Sequence, residues 1–172
     1  MSTHTPQSWL WGTWSRFGLA VALATIAIDQ CHKLWMLMIY QIQDKGRISV
    51  LPFLDLVYVK NLGISYGLGA GHLGQPLLAM FAIAAAIVLT IWLARGATGR
   101  IMAGSIGLII GGAIGNAIDR LHLGGVADFF SLHAFGYYWY VFNVADVAIV
   151  AGVLGLLYDS FGASRGNAAN AP

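Results

Sequence analysis

The chain has 172 residues, of which 58% are hydrophobic and only 9% are charged. A soluble domain carries about 25% charged residues, so this composition excludes an ordinary soluble domain and indicates an integral membrane protein. The formal net charge of +2 is too small to indicate nucleic-acid binding. The single cysteine, Cys31, excludes an internal disulfide and a multi-cysteine metal cluster.

Apolar runs predict four membrane-spanning helices, since a span needs ~20 mostly apolar residues. The first span is interrupted by Asp29, His32 and Lys33, and the third carries five glycines that allow close helix contact. Four helices of this length suit one compact bundle, so we expect a single membrane domain over residues 1–172. The predicted spans are residues 14–40, 75–93, 101–118 and 139–158.

The placement of arginine predicts the orientation of the bundle. Four arginines flank the chain ends and the loop between the second and third spans: Arg16, Arg95, Arg100 and Arg165. Cytoplasmic segments are enriched in Lys and Arg, so both termini are expected in the cytoplasm, and loops 41–74 and 121–138 on the outer side. Lys45, Arg47 and Lys60 in the first outer loop weaken this pattern.

The first outer loop is predicted to form strands. Residues 47–59 alternate in part and are rich in Val, Leu, Phe and Tyr, a composition typical of strands. The expected fold is an all-α integral membrane protein with four transmembrane helices and a small extracytoplasmic β-rich cradle after the first helix. The aromatic run 137–140 is expected at the membrane interface, where the fourth span begins.

Polar residues in or near the spans are candidates for function, because a charge inside a bilayer costs at least ~3 kcal/mol on insertion scales. Asp29 and Lys33 are spaced i, i+4 and can pair, either to fix helix packing or to support a site. Asn116 and Arg120 share a helical face, which would direct both at one site. Asp119, beside Arg120, is open to two interpretations, an interfacial salt bridge or a functional role.

Asn61 lies in a short polar segment, 61–67, that combines an amide, glycines and a hydroxyl group. One interpretation is an ordinary turn with a side-chain cap. The other is that Asn61 donates hydrogen bonds to a substrate backbone or to a catalytic carboxyl group.

Asp128 and Asp146 are the strongest candidates for catalysis. Asp128 follows the third predicted span, and Asp146 lies inside the fourth. If these segments pack together, two carboxyl groups meet near one membrane surface and share a proton, as in an aspartic protease. The alternative is that both aspartates cap helices or bond interfacial backbone groups. Asn143 lies one turn before Asp146 and could hydrogen-bond the pair.

Metal chemistry is not expected. His122 and His133 flank Asp128, but they form an incomplete ligand set, and no HExxH spacing is present. No cofactor is therefore predicted. Two rival functions remain open: a small proton-coupled transporter with a relay of intramembrane carboxylates, and a structural membrane subunit whose polar residues only hold helices together. A metal-dependent hydrolase is a third, less favoured alternative, which chelator-insensitive activity would exclude.

Five sequence blocks, taken together, resemble one family. The chain is similar over residues 14–160 to the bacterial lipoprotein signal peptidase, or signal peptidase II, family, with the blocks in the family's order. The blocks are Asp29-Gln30-x-x-Lys33, Asn61-x-Gly63-x-Ser65-Tyr66-Gly67, Gly112-Ala113-x-Gly115-Asn116-x-x-Asp119-Arg120, Gly125-Val126-x-Asp128-Phe129 and Phe142-Asn143-x-Ala145-Asp146. Ser65-Tyr66 stands where many members have Ala-Phe.

This resemblance implies a membrane aspartic endopeptidase with Asp128 and Asp146 as its catalytic pair. It implies that the substrate is a prolipoprotein carrying diacylglycerol on the cysteine after the cleavage site. It also implies supporting roles in site structure and substrate binding for the other matched polar positions: Asp29, Lys33, Asn61, Asn116, Arg120 and Asn143. A monomer in the bacterial inner membrane is expected, with membrane lipid around it and the active site near the outer leaflet.

Overall fold

The computed structural model describes residues 11–63 and 74–169, and within them four helices are long and apolar enough to cross a membrane. Helix α1 covers Ser15–Leu34 and continues as a π-helical segment, Trp35–Ile39. Helices α2, α3 and α4 cover Gly74–Gly96, Arg100–His122 and Val144–Ala169. The prediction of four apolar helices is therefore confirmed. Ser65, Tyr66 and Gly67 of the second sequence block lie outside the described residues.

The start of the fourth helix differs from the prediction. The predicted span begins at residue 139, whereas Tyr137–Phe142 is a strand and α4 begins at Val144. Aromatic and β-branched residues fill this strand and favour extended structure. Asn143 is the residue before the helix, and an asparagine there satisfies free amide groups of the first turn. The aromatic run therefore lies on a strand, and the predicted start at residue 139 was wrong.

Helix α3 packs against each of the other three helices. A Cβ atom on Gly111 would lie 2.5 Å from Thr25 Cβ of α1, and one on Gly112 would lie 2.5 Å from the carbonyl oxygen of Ala145 in α4. The predicted role of glycine in close helix contact is confirmed at four of the five positions: Gly107, Gly111, Gly112 and Gly115. At Gly104 an added Cβ would make only an ordinary contact, 3.4 Å from Phe17.

The strands form one antiparallel sheet in the order β1-β2-β3-β4. The four strands are β1, Ile48–Leu51; β2, Leu54–Asn61; β3, Val126–Ala134; and β4, Tyr137–Phe142. Strands β1 and β2 confirm the strands predicted after the first helix. The prediction placed no strands between the third and fourth helices, yet half of the sheet comes from there. The expected cradle is thus built from both connections.

The sheet packs on the end of α1. Met36 and Ile42 form a buried apolar cluster with Ala127 and Phe129 of β3. Gly115 of α3 contacts Asp29 of α1, near the same end. The C-terminal ends of α1 and α3, the N-terminal end of α4 and the sheet therefore meet at one end of the bundle.

The opposite end carries three of the arginines. Gly12, just before α1, donates a backbone hydrogen bond of 2.8 Å to the carbonyl oxygen of Ala94 near the end of α2. Arg16, Arg95 and Arg100 lie in the terminal turns that meet at this end. The sheet and these arginines are thus separated by the length of the bundle.

Candidate active site

Asp128 lies on β3, and its carboxyl group is buried. Asn61 Nδ2 donates to Asp128 Oδ2 at 3.1 Å, and Asn143 Nδ2 donates to Oδ1 at 2.6 Å. The register places Val59 opposite Asp128, so Asn61 is a diagonal neighbour on the same face of the sheet. Burial raises the pKa of Asp128 from 3.8 to about 6; the two amide hydrogen bonds oppose this rise, and the nearby charge of Asp146 adds to it.

Asp146 lies in the first turn of α4 and forms a reciprocal cap with Asn143. The backbone N–H of Asp146 donates to Asn143 Oδ1 at 3.0 Å, and the backbone N–H of Asn143 donates to Asp146 Oδ2 at 3.2 Å. This is a capping box, which satisfies two amide groups at a helix start. The helix-cap interpretation therefore holds for Asp146. One carboxylate oxygen, Oδ1, remains for a third partner and accepts from Asn116 Nδ2 at 2.9 Å.

Two asparagine side chains connect the two carboxyl groups. Asn143 Nδ2 contacts both Asp128 Oδ1 and Asn116 Oδ1, the latter at 3.1 Å. Asn116 in turn donates to Asp146. The structure thus brings together four of the predicted residues from α3, β3 and the start of α4. Asn143 could hydrogen-bond the pair, as the sequence indicated, and it contacts both members.

Asp29 and Lys33 form the predicted ion pair, at 2.8 Å, with both side chains almost fully buried. Lys33 Nζ also lies 2.8 Å from Asp119 Oδ2 and 3.3 Å from Asn116 Oδ1. Asp119 therefore pairs with Lys33, and the salt bridge that was considered between Asp119 and Arg120 does not occur among the described contacts. The second carboxylate on Lys33 was missed because it comes from α3, far away in the sequence.

Gln30 was also missed as a site residue. Its Nε2 atom lies 3.1 Å from carboxylate oxygens of both Asp29 and Asp119, and 3.2 Å from the carbonyl oxygen of Gly115. The only sequence signal for this role is its place in the Asp29-Gln30-x-x-Lys33 block.

Arg120 lies one turn after Asn116 and is half-buried. Its Nη1 donates to the carbonyl oxygen of Asn116 at 3.3 Å. Within the described residues, the buried Nε of Arg120 has no hydrogen-bond acceptor. The guanidinium group, which carries five N–H donors, therefore has capacity to bind a group that enters the site.

Each carboxyl group opens into a different cavity. Asp128 and Asn61 lie in a groove of about 530 Å³ walled by residues 138–141 of β4. Asp146 lies at the head of a second groove of about 500 Å³. That groove is almost entirely apolar and follows α4 through Val147, Val150, Ala151 and Leu154. One member of the pair thus lines a groove on the sheet, and the other lines a groove along α4.

The histidines considered as metal ligands have other surroundings. His133 Nε2 lies 3.2 Å from Asp55 Oδ1, in a cluster on the sheet where Arg47 Nη1 also contacts Asp55, at 2.9 Å. Arg47 holds the pKa of Asp55 below its usual value. His122 lines a cavity near Lys33 and Asp119. Within residues 11–63 and 74–169 no group of three metal-binding side chains occurs.

Together, the fold and the site define a multi-pass membrane protein in which two carboxyl groups share amide partners at one end of a four-helix bundle. A family model described as Signal peptidase (SPase) II matches residues 21–162. The chain belongs to the signal peptidase II family.

Individual relatives agree with this assignment. A lipoprotein signal peptidase of Rhodopseudomonas palustris is 52% identical over 151 residues, which cover 84% of this chain and 92% of that protein. One of Nitrobacter hamburgensis is 48% identical over 163 residues, which cover 91% and 98%. A bacterial membrane enzyme solved by the in meso method at 2.3 Å resolution is 26% identical, with a TM-score of 0.74, over 87% of this chain and 90% of that one. These similarities do not favour a transporter.

Proposed function

We propose that the protein is an aspartic endopeptidase of the bacterial inner membrane. In this proposal it removes the signal peptide from diacylglyceryl-modified prolipoproteins by cutting before the lipidated cysteine. The observation that carries the proposal is the junction of Asp128 and Asp146 through the shared amides of Asn143 and Asn116. Membership in a peptidase family supports the reaction class, and the relatives named lipoprotein signal peptidase support the substrate class.

The reaction requires one proton shared by the pair. The ionised carboxylate takes a proton from a water molecule held between the two groups, and the resulting hydroxide attacks the scissile carbonyl carbon. The protonated partner donates a hydrogen bond to the oxyanion that develops. Collapse of the tetrahedral intermediate breaks the C–N bond, and the departing amine takes a proton from the pair. No metal or other cofactor enters this scheme.

The raised pKa of Asp128, about 6, supports Asp128 as the member that holds the shared proton. In this scheme Asp146, in the first turn of α4, is the partner that takes the proton from the water molecule.

The remaining polar residues have distinct proposed roles. Asn61, Asn116 and Asn143 orient the two carboxyl groups through the hydrogen bonds described above. Arg120 binds a backbone carbonyl of the substrate or a lipid ester or phosphate, because its buried Nε has no acceptor among the described residues. Asp29 and Lys33 hold α1 against α3 and α4 behind the carboxyl pair.

The two cavities suit the two parts of a lipidated substrate. An extended peptide would lie in the groove of the sheet that Asp128 lines. An acyl chain would follow the apolar groove of α4, which leads from Asp146 along the membrane span. Burial of each CH₂ group contributes about 0.8 kcal/mol, so even a partly buried acyl chain would select strongly for lipidated substrates.

Charge supports an orientation with both termini in the cytoplasm. Arg16, Arg95 and Arg100 lie at the end of the bundle away from the carboxyl pair, and cytoplasmic segments are enriched in Lys and Arg. This orientation places the sheet, with loops 41–74 and 121–138, on the outer side and the active site near the outer leaflet.

The test is cleavage of a purified diacylglyceryl-modified prolipoprotein by the purified protein in lipid or detergent. Wild type, Asp128→Asn and Asp146→Asn are compared, each with and without a chelator. We expect the wild type alone to cut before the lipidated cysteine, unaffected by the chelator. Near-normal turnover by either variant would exclude the carboxyl pair. No cleavage by folded wild type would exclude the peptidase, and loss of activity with chelator would indicate a metal.

A further inference from the structure

The sequence Val-Ala-Asp occurs at both candidate catalytic positions, as Val126-Ala127-Asp128 and Val144-Ala145-Asp146. In each case the alanine is buried, and its backbone N–H donates to a buried carboxylate. Ala127 N–H donates to Asp119 Oδ2 at 3.0 Å, and Ala145 N–H donates to Asp29 Oδ1 at 2.9 Å. The backbone directly before each aspartate is therefore held in the same way, although one aspartate is on a strand and the other on a helix.

The two holding carboxylates are joined to each other. Lys33 Nζ lies 2.8 Å from Asp29 Oδ2 and 2.8 Å from Asp119 Oδ2. Gln30 Nε2 lies 3.1 Å from both carboxylates as well. A continuous chain of contacts thus runs from Ala127 N–H through Asp119, Lys33 and Asp29 to Ala145 N–H. We call this chain the carboxylate bridge.

The carboxylate bridge is more rigid than a set of surface contacts. The side chains of Asp29, Lys33 and Asp119 are at most 3% exposed, so water cannot replace their partners. Hydrogen bonds to ionised groups are about twice as strong as neutral ones. Lys33 and Gln30 come from α1, Asp119 from α3, and the alanines from β3 and α4, so four elements are fixed relative to one another.

We propose that Asp119 and Asp29, joined by Lys33 and Gln30, are positioning residues that set the separation and direction of the two catalytic carboxyl groups. This inference rests on the proposed function. The asparagine amides hold the carboxyl groups by hydrogen bonds to their oxygens. The carboxylate bridge holds the backbone before each aspartate, through the N–H groups of Ala127 and Ala145. A shift of about 1 Å in reacting groups costs about 100-fold in rate, so a tie through the backbone of both residues matters for turnover.

The test compares Asp119→Ala with Asp119→Asn. Alanine removes the acceptor for Ala127 N–H, whereas asparagine removes the charge and keeps a carbonyl oxygen in the same place. Asparagine turns its amide nitrogen toward Gln30, whose Nε2 loses this one acceptor and keeps Asp29 and the carbonyl oxygen of Gly115. We expect Asp119→Ala to lower kcat about 100-fold with little change in KM, and Asp119→Asn to restore most of kcat. Asp29→Ala and Asp29→Asn are expected to show the same contrast at the other end.

Asp55→Ala is the matched control for loss of a buried carboxylate. Asp55 is 1% exposed and lies on the same sheet, but its partners are Arg47, Ser49 and His133. We expect this variant to lose stability while its folded fraction keeps kcat. Equal kcat losses in Asp119→Ala and Asp119→Asn would overturn the inference, because charge alone would then account for the effect. Unchanged kcat in Asp119→Ala would overturn it as well.

Lys33→Arg covers the case in which Asp119→Ala fails to fold. Arginine keeps the positive charge but changes the geometry with which two carboxylates are bridged. We expect a folded protein with reduced kcat and a displaced pH profile; wild-type kcat would contradict the proposal.

A readout without substrate separates this inference from the proposed function. The protonation of Asp128 is followed by infrared spectroscopy, with the carboxyl band assigned by its loss in Asp128→Asn. We expect the titration of Asp128 to differ between Asp119→Ala and Asp119→Asn, because only alanine frees the backbone of β3. Identical titrations would overturn the inference even if wild type cleaves the substrate. Absence of cleavage with distinct titrations would reject only the proposed function.

Discussion

Replacement of Asp128 by asparagine is predicted to stabilise the fold while it abolishes cleavage. The folded protein holds the proton of Asp128 more tightly than the unfolded chain, because burial raises the pKa from 3.8 to about 6. The stabilisation supplied by that proton is complete below the pKa of the unfolded carboxyl group and is lost as the pH rises through about 6. At neutral pH the wild type therefore carries an ionised carboxylate in an unfavourable place.

The size of the expected stabilisation follows from the rise of the Asp128 pKa from 3.8 to about 6. At about 1.36 kcal/mol for each pKa unit, this rise corresponds to about 3 kcal/mol. Asparagine resembles the protonated carboxyl group, since each keeps one oxygen that accepts from one of Asn61 and Asn143 and turns a donor toward the other. We therefore expect Asp128→Asn to raise the free energy of unfolding by up to about 3 kcal/mol near pH 7.5 and by little near pH 4.

The assay is reversible unfolding in mixed micelles, or steric trapping in bicelles, at both pH values. Asp55→Asn is the control with the opposite sign. Arg47 holds the pKa of Asp55 below its usual value, so this carboxylate stabilises the fold above its unfolded pKa, and the contribution is lost as the pH falls through the folded pKa. The reasoning is refuted if Asp128→Asn changes stability equally at both pH values, or if it destabilises the protein at neutral pH.

Three further predictions follow from the site. The kcat/KM of cleavage should fall as the pH rises above about 6, because the singly protonated pair then loses its proton; a rate that increases with pH through this range would contradict the scheme. Ala151→Trp should fill the apolar groove of α4 and raise KM for long-chain substrates with kcat unchanged. Val88→Trp, on the lipid-exposed face of α2, should leave KM unchanged. Equal effects of the two variants on KM would exclude the groove as the binding site of the acyl chain. Lys33→Met should lower the free energy of unfolding by about 3–5 kcal/mol, because two buried carboxylates lose their counter-ion, while Lys45→Met on an exposed loop should change little; equal losses in unfolding measurements would refute this.

Local sequence pattern was sufficient to predict the structural features that depend on a single segment of the chain. The apolar length of each helix and the i, i+4 pair Asp29–Lys33 depend on near neighbours, and both were predicted. The strands after α1 were also predicted, because alternation is a local signal. Strand β3, which pairs with β2, and strand β4, which pairs with β3, were not predicted. The aromatic run of β4 lies beside a membrane span, and there it fits a strand and a helical interface about equally well.

Local sequence pattern did not predict which residues the polar side chains contact. Asp119 follows Asn116 and precedes Arg120 on α3, so the sequence suggested a pair with its neighbour. In the structure its partners are Lys33, Gln30 and the backbone of Ala127, from two other elements. Burial decides this outcome, because a lysine whose side chain is only 3% exposed must have anionic partners within reach.

Hydropathy and charge are additive properties of segments, so the sequence was enough to identify a four-helix membrane protein with aspartates beside its apolar segments. The family resemblance pointed to Asp128 and Asp146 as a pair. Packing of the elements sets which amides join them, which groove each one lines, and that a single lysine links the backbones before both. Those features depend on contacts between residues far apart in the chain, and such contacts exist only once the helices and the sheet have packed.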